Sequence, residues 1–133
     1  MSVFIDTTAF YAILDRDDAN HRSAGQIWRH LLDEQESLVT HNYILLESAA
    51  IIQNHLGMEA VRTFLSDVFP MLSVVWIDSE IHFRAQSAFL VNNRRKLSLT
   101  DCVSFEVMRD SGIRTAFAFD RHFTEQGFTI PPS

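Results

Sequence analysis

The sequence predicts a three-layer α/β/α fold, with helices on both faces of a central parallel sheet of four to five strands. Three observations carry this expectation. Short β-branched and aromatic runs alternate along the chain with segments of helical period. Those runs, such as Val3-Phe4-Ile5 and Leu72 to Ile77, lack a regular polar break, as strands buried on both faces require. Only four glycines and three prolines interrupt 133 residues, which suits a helix-rich body joined by right-handed crossovers.

Taken in order, Val3-Phe4-Ile5 is the first strand, stopped by Asp6 and followed by Thr7, Thr8 and a helix-compatible run from Ala9 to Leu14. Asp15 to Asn20 is a polar break. Ala19 to Glu34 places Ala24, Ile27, Trp28, Leu31 and Leu32 at helical spacing. Leu38 to Thr40 reads as a short strand, and a helix from about Asn42 to His55 ends at Gly57. Met58 to Phe69 reads as a helix stopped by Pro70, and Leu72 to Ile77 as a strand. Asp78 caps a long helix reaching roughly Arg95. Ser98 or Thr100 opens the next helix, through Met108, which Gly112 ends. Thr115 to Phe119 is a strand running into Asp120, and Phe128 to Ile130 is an edge-strand candidate before Pro131. No repeat or linker divides the chain, so residues 1–133 read as one domain.

Bulk properties narrow the class. The one cysteine, Cys102, has no partner within the chain, which points to a reducing cytoplasm. There is no signal-like amino terminus, and no apolar run approaches the ~20 residues of a membrane span. The net charge of −6 argues at first against a nucleic-acid partner. Acids clustered around metal ions would remove that objection, since four carboxylates in one pocket carry four of the six charges.

Four acids stand out. Asp6 and Asp120 follow apolar strands, at the edge where open α/β sheets bind ligands, although both positions also suit helix caps or turns. Glu47 lies three residues after Ile44 and four before Ile51, on the apolar stripe of its helix. A carboxylate there is costly unless it is paired, protonated or bound to a cation. Asp101 sits in the first turn of its helix, where the macrodipole favours an anion, and with Ser98 or Thr100 as cap its side chain is free to point elsewhere. Four converging carboxylates cannot all stay ionised without cations, and all-oxygen ligands select Mg²⁺ or Mn²⁺. Such a site suits phosphodiester cleavage by metal-activated water.

In this order, Phe-Ile-Asp-Thr-Thr-Ala-Phe, Leu-Leu-Glu-Ser-Ala, Ser-Leu-Thr-Asp-Cys-Val-Ser-Phe and Phe-Asp-Arg-His-Phe make the chain resemble the PIN-domain ribonucleases, and among them the VapC toxins of toxin–antitoxin pairs. The resemblance runs from Val3 to about Phe128. It implies a PIN-like fold and a metal-dependent endoribonuclease acting on single-stranded or looped RNA. Asp6 and Asp101 would be the principal ligands, Glu47 would position the attacking water, and Asp120 would support a second ion or the leaving side. Thr7 or Thr8 matches a hydroxyl that holds the first aspartate or the water, and Ala118 stands where a hydroxyl residue is frequent. A small antitoxin and a homodimer are further implications.

Arg94, Arg95 and Lys96 form the one basic cluster, suited to RNA phosphates or to the end of the preceding helix, and Arg121 and His122 adjoin Asp120. No histidine pair has zinc-site spacing. The competing reading is a non-catalytic PIN-like module that binds RNA or protein. A receiver domain or an Asp-x-Asp-x-Thr phosphatase fits poorly, because the one lysine is Lys96 and Thr8 occupies the second-Asp position.

Overall fold

A computed structural model describes residues 1–132. Four strands form one sheet: β1 (Ser2–Ile5), β2 (Ser37–His41), β3 (Ser73–Val75) and β4 (Thr115–Phe117). Their order is β3-β2-β1-β4 and every pairing is parallel, with Val3 opposite Leu38, Phe4 opposite Ala116 and Val39 opposite Ser73. The expected sheet is therefore present, at the lower end of four to five strands. Around it pack α1 (Thr7–Leu14), α2 (His21–Asp33), α3 (Asn42–Leu56), α4 (Met58–Thr63), α5 (Ser79–Asn92), α6 (Leu99–Ser111) and α7 (His122–Glu125).

Several boundaries differ from expectation, each for a local reason. The helix expected to continue to Phe69 ends as α4 at Thr63, then widens into a π turn over Phe64–Val68, with the Phe69 N–H bonded to the Phe64 carbonyl. A 3₁₀ turn over Phe69–Met71 follows and contains Pro70, whose ring and missing N–H do not fit an α-helix interior. β3 stops at Val75 because the Ile77 N–H leaves the ladder and donates to Asn42 Oδ1 at 2.6 Å. β4 stops at Phe117 because the Phe119 N–H donates instead to the Thr8 hydroxyl, 3.0 Å away. Asp120 thus lies in a turn beyond the strand. The segment Phe128–Ile130 makes a single parallel bridge, Thr115 to Thr129, rather than a strand. α5 ends at Asn92, and Asn93 adopts left-handed backbone, so Arg94, Arg95 and Lys96 lie outside the helix.

Aromatic rings fill the core on both sides of β1. Phe4 is fully buried between Phe123, 6.1 Å away between ring centres, and His41 at 5.7 Å. On the opposite side Phe10 meets Phe64 edge-on at 5.1 Å. Aromatic pairs in stacked and edge-on geometries like these stabilise beyond simple burial. Since Phe4 joins the central strand to α7, Phe4→Ala is expected to cost about 3–5 kcal/mol of unfolding free energy, read from the denaturant midpoint at unchanged slope.

Candidate functional site

β1 is flanked by β2 on one side and β4 on the other, so the chain departs from it in both directions and a crevice opens beyond the strand ends. Asp6 stands there. It is 4% exposed and is the N-cap of α1. Its Oδ2 accepts hydrogen bonds from the Thr8 N–H at 3.2 Å and the Thr8 hydroxyl at 2.7 Å. The same hydroxyl oxygen accepts the Phe119 N–H, and the Asp6 N–H donates to the Phe117 carbonyl at 3.0 Å. Thr8 therefore holds the acid and also ties the end of β1 to the end of β4. Thr7 is buried and accepts a bond from the Ser48 hydroxyl of α3 at 3.1 Å.

Asp101 reaches the crevice from α6. Ser98 is the N-cap, as expected, but the Asp101 side chain is not free: its Oδ2 accepts the Ser98 N–H at 3.1 Å, while Ser98 Oγ accepts the Asp101 N–H at 3.0 Å. This reciprocal capping box pins the carboxylate while leaving it lone pairs to share. Asp120 Oδ1 accepts the His122 N–H at 2.9 Å, which orders the turn that carries it.

These acids share one electrostatic field. Burial pushes the Asp6 carboxyl up to about 7; the bonds from Thr8 oppose the rise, and the charges of Asp101 and Asp120 add to it. Asp101 is raised as well, first by burial and also by Asp120, against the bond from Ser98 and the charge of His122. Among the described residues, Asp101, Asp120 and His122 each bring a ligand-type atom within 4.8 Å of the others. The donor set fits a hard divalent cation, because crowded carboxylates lose their mutual repulsion when one is bound and offer only oxygen.

His122 escaped notice in the sequence as a member of this group. Its Nδ1 faces Glu125 Oε1 at 3.0 Å and its Nε2 faces the Lys96 carbonyl at 3.1 Å, so both nitrogens are already engaged by oxygen atoms of the protein. The one available signal was its place two residues after Asp120, and that spacing is not a ligand motif.

Glu47 departs from expectation. The buried face of α3 is formed by Ile44, Leu45, Ser48 and Ile52, leaving Glu47 half-buried on the flank. It contributes neither to the cluster within 4.8 Å nor to the fields that shift Asp6 and Asp101. It does lie one turn from Ile51, which lines a crevice of about 280 Å³ with Thr7, Thr8, Tyr11 and Phe119. The basic cluster also divides: Arg94 pairs with Glu125 at 3.4 Å, whereas Arg95, Lys96 and Arg121 are exposed.

Comparison with known proteins places this geometry in context. A family model described as the PIN domain matches residues 3–128. The chain is 28% identical over 127 residues, 95% of each chain, to the 23S rRNA-specific endonuclease VapC20 from two Mycobacterium tuberculosis strains, CDC 1551 / Oshkosh and ATCC 25618 / H37Rv. The crystal structure of M. tuberculosis VapC20, described as a sarcin–ricin loop cleaving toxin, superposes with a TM-score of 0.87 at 25% identity, covering 99% of this chain and 100% of that one.

The raised Asp6 pKa has a definite sign. The folded state holds this proton to about pH 7 and the unfolded chain releases it near 3.8, so the contribution is fully present in acid and is lost as pH rises toward 7. The whole effect is on the order of 4 kcal/mol. In chelator, Asp6→Asn is expected to abolish this decline and to melt above the unsubstituted protein at pH 8; equal melting temperatures across the pH range would exclude a strained Asp6.

Proposed function

The chain belongs to the PIN-domain family, and on that premise we propose that it is a divalent-metal-dependent endoribonuclease, the toxin of a toxin–antitoxin pair. The observation that carries this reading is the approach of Asp101 and Asp120 to within 4.8 Å, with Asp6, desolvated at the end of β1 and outside that cluster, feeling the charge of both. We read the chain as one nuclease domain whose principal metal ligands are Asp6 and Asp101, with Asp120 supporting the cluster and Mg²⁺ or Mn²⁺ as the ion. When bound, the cation would supply positive charge that acidifies a water and stabilises the leaving oxygen of a phosphodiester. The residues do the rest. Thr8 orients the Asp6 carboxylate and Ser98 fixes Asp101 in the first turn of α6, while Glu47, outside the acidic cluster, is assigned to the attacking water and not to the ion.

RNA is the proposed substrate because exposed Arg121 directly follows Asp120, and exposed Arg95 and Lys96 belong to the loop whose Lys96 carbonyl meets His122, all suited to phosphates. The relative's substrate makes looped ribosomal RNA the first to test. A small antitoxin and a second copy of the chain are the proposed protein partners. The exposed side chains of Leu46, Leu65 and Trp76 border a shared groove with Leu45, Ala49 and Phe69, a surface of the kind that partners cover. No helix among the described residues is long and apolar enough to cross a membrane.

Two measurements test the proposal. Asp6→Asn should lower the cleavage rate of a looped RNA by at least about a hundredfold with the protein still folded. Undiminished cleavage by that variant would remove Asp6 from the reaction. Independently, Mn²⁺ at about a hundred times its dissociation constant should stabilise the unsubstituted protein by about 2.7 kcal/mol, and Asp6→Asn by much less. Equal shifts would place the ion elsewhere.

A further inference from the structure

His122 is 7% exposed and its ring faces polar groups of Lys96, Asp120 and Glu125. Nδ1 lies 3.0 Å from Glu125 Oε1, Nε2 lies 3.1 Å from the Lys96 carbonyl oxygen, and Nε2 lies 3.8 Å from Asp120 Oδ1. Glu125 in turn holds Arg94 at 3.4 Å, and its carboxyl is kept below its ordinary range by the bond from His122 first and by Arg94 as well. The loop from Asn93 to Leu97 is thus gripped at three points. Arg94 is tied through Glu125, the Lys96 backbone is tied directly, and the Leu97 side chain is buried in the core.

This arrangement separates three consecutive cations into different roles. Arg94 is spent on Glu125, while Arg95 and Lys96 are exposed and have no ion pair among the described residues. Lys96 donates nothing to the grip through its side chain, because His122 takes its carbonyl. The imidazole therefore fixes the backbone of the loop while leaving its charged ends outward, and the same ring abuts the acid that borders the site. A loop with one internal backbone bond, from the Leu97 N–H to the Arg94 carbonyl at 3.2 Å, would otherwise need further ordering by substrate, at an entropic cost to binding.

We infer that His122 is a positioning residue which clasps the Asn93–Leu97 loop to the acidic crevice, so that Arg95 and Lys96 meet the phosphates of an RNA strand entering it. The inference rests on the ribonuclease reading and deepens it by assigning how that substrate is held. The role belongs to binding, not to the bond-breaking step.

The test uses a short stem–loop oligoribonucleotide, with KM, kcat and the salt dependence of KM measured for the unsubstituted chain, His122→Ala and His122→Gln. Loss of the clasp is expected to raise KM about tenfold with kcat changed by less than about threefold, and to reduce the slope of log KM against log salt by about 1–2 as two phosphate contacts are lost. Amide exchange at Arg95, Lys96 and Leu97 should accelerate in both variants without RNA present. The exposed substitutions Arg95→Gln and Lys96→Gln, which leave the core intact, should each raise KM in the unsubstituted chain and have little further effect in His122→Gln. Unchanged KM and salt slope, additive effects of the loop substitutions, or a fall confined to kcat would each overturn the assignment. If the unsubstituted chain itself neither binds nor cleaves RNA while remaining folded, the ribonuclease reading fails first, and this assignment with it.

Discussion

The crowding of carboxylates beside a desolvated Asp6 is the constraint from which the remaining features follow. A parallel sheet ordered β3-β2-β1-β4 brings the ends of β1 and β4 together, and each is followed by an acid in the adjoining segment. α6 starts at the same edge and adds Asp101. Left to themselves these groups repel, and burial raises the cost of ionising them. The fold answers with hydroxyls and amides: Thr8 on Asp6, Ser98 on Asp101, and the His122 amide on Asp120. These donors lessen the strain of ionisation without removing it, which leaves room for a cation to complete the neutralisation.

Much of this was legible in the sequence because it is locally encoded. The unbroken Val3-Phe4-Ile5 run marks a strand buried on both faces, and Ser98 with an acid three residues later is a helix start. Gly112 supplies the left-handed residue, at φ 67°, that ends α6. What escaped depended on interactions between distant segments. β4 is shortened by a bond to Thr8, which lies 111 residues earlier, and β3 by a bond to Asn42, 35 residues earlier. No periodicity within a strand carries that information.

The site shows the same division. Asp6 and Asp101 are announced by their neighbours, whereas Glu47 depended on the phase of a helical stripe. Helical spacing alone permitted Glu47 inside; the packed stripe instead runs through Ile44, Ser48 and Ile52, and the small hydroxyl of Ser48 takes the position against Thr7. His122 was legible only as a neighbour of Asp120, and its connections were out of reach for a different reason. Its partners Lys96 and Glu125 come from separate parts of the chain, so its place is a property of tertiary structure.

The single hydroxyl of Thr8 has a mechanical corollary. One oxygen donates to Asp6 and accepts from the backbone of Phe119, so the two lips of the crevice on either side of it are riveted together. Prising β1 away from β4 would break the Phe119 bond together with the one from the Asp6 N–H to the Phe117 carbonyl, while Thr8 kept its hold on Asp6. A guest entering the crevice therefore meets two bonds that cross between these segments, and the acidic lip behaves as an anvil rather than a jaw.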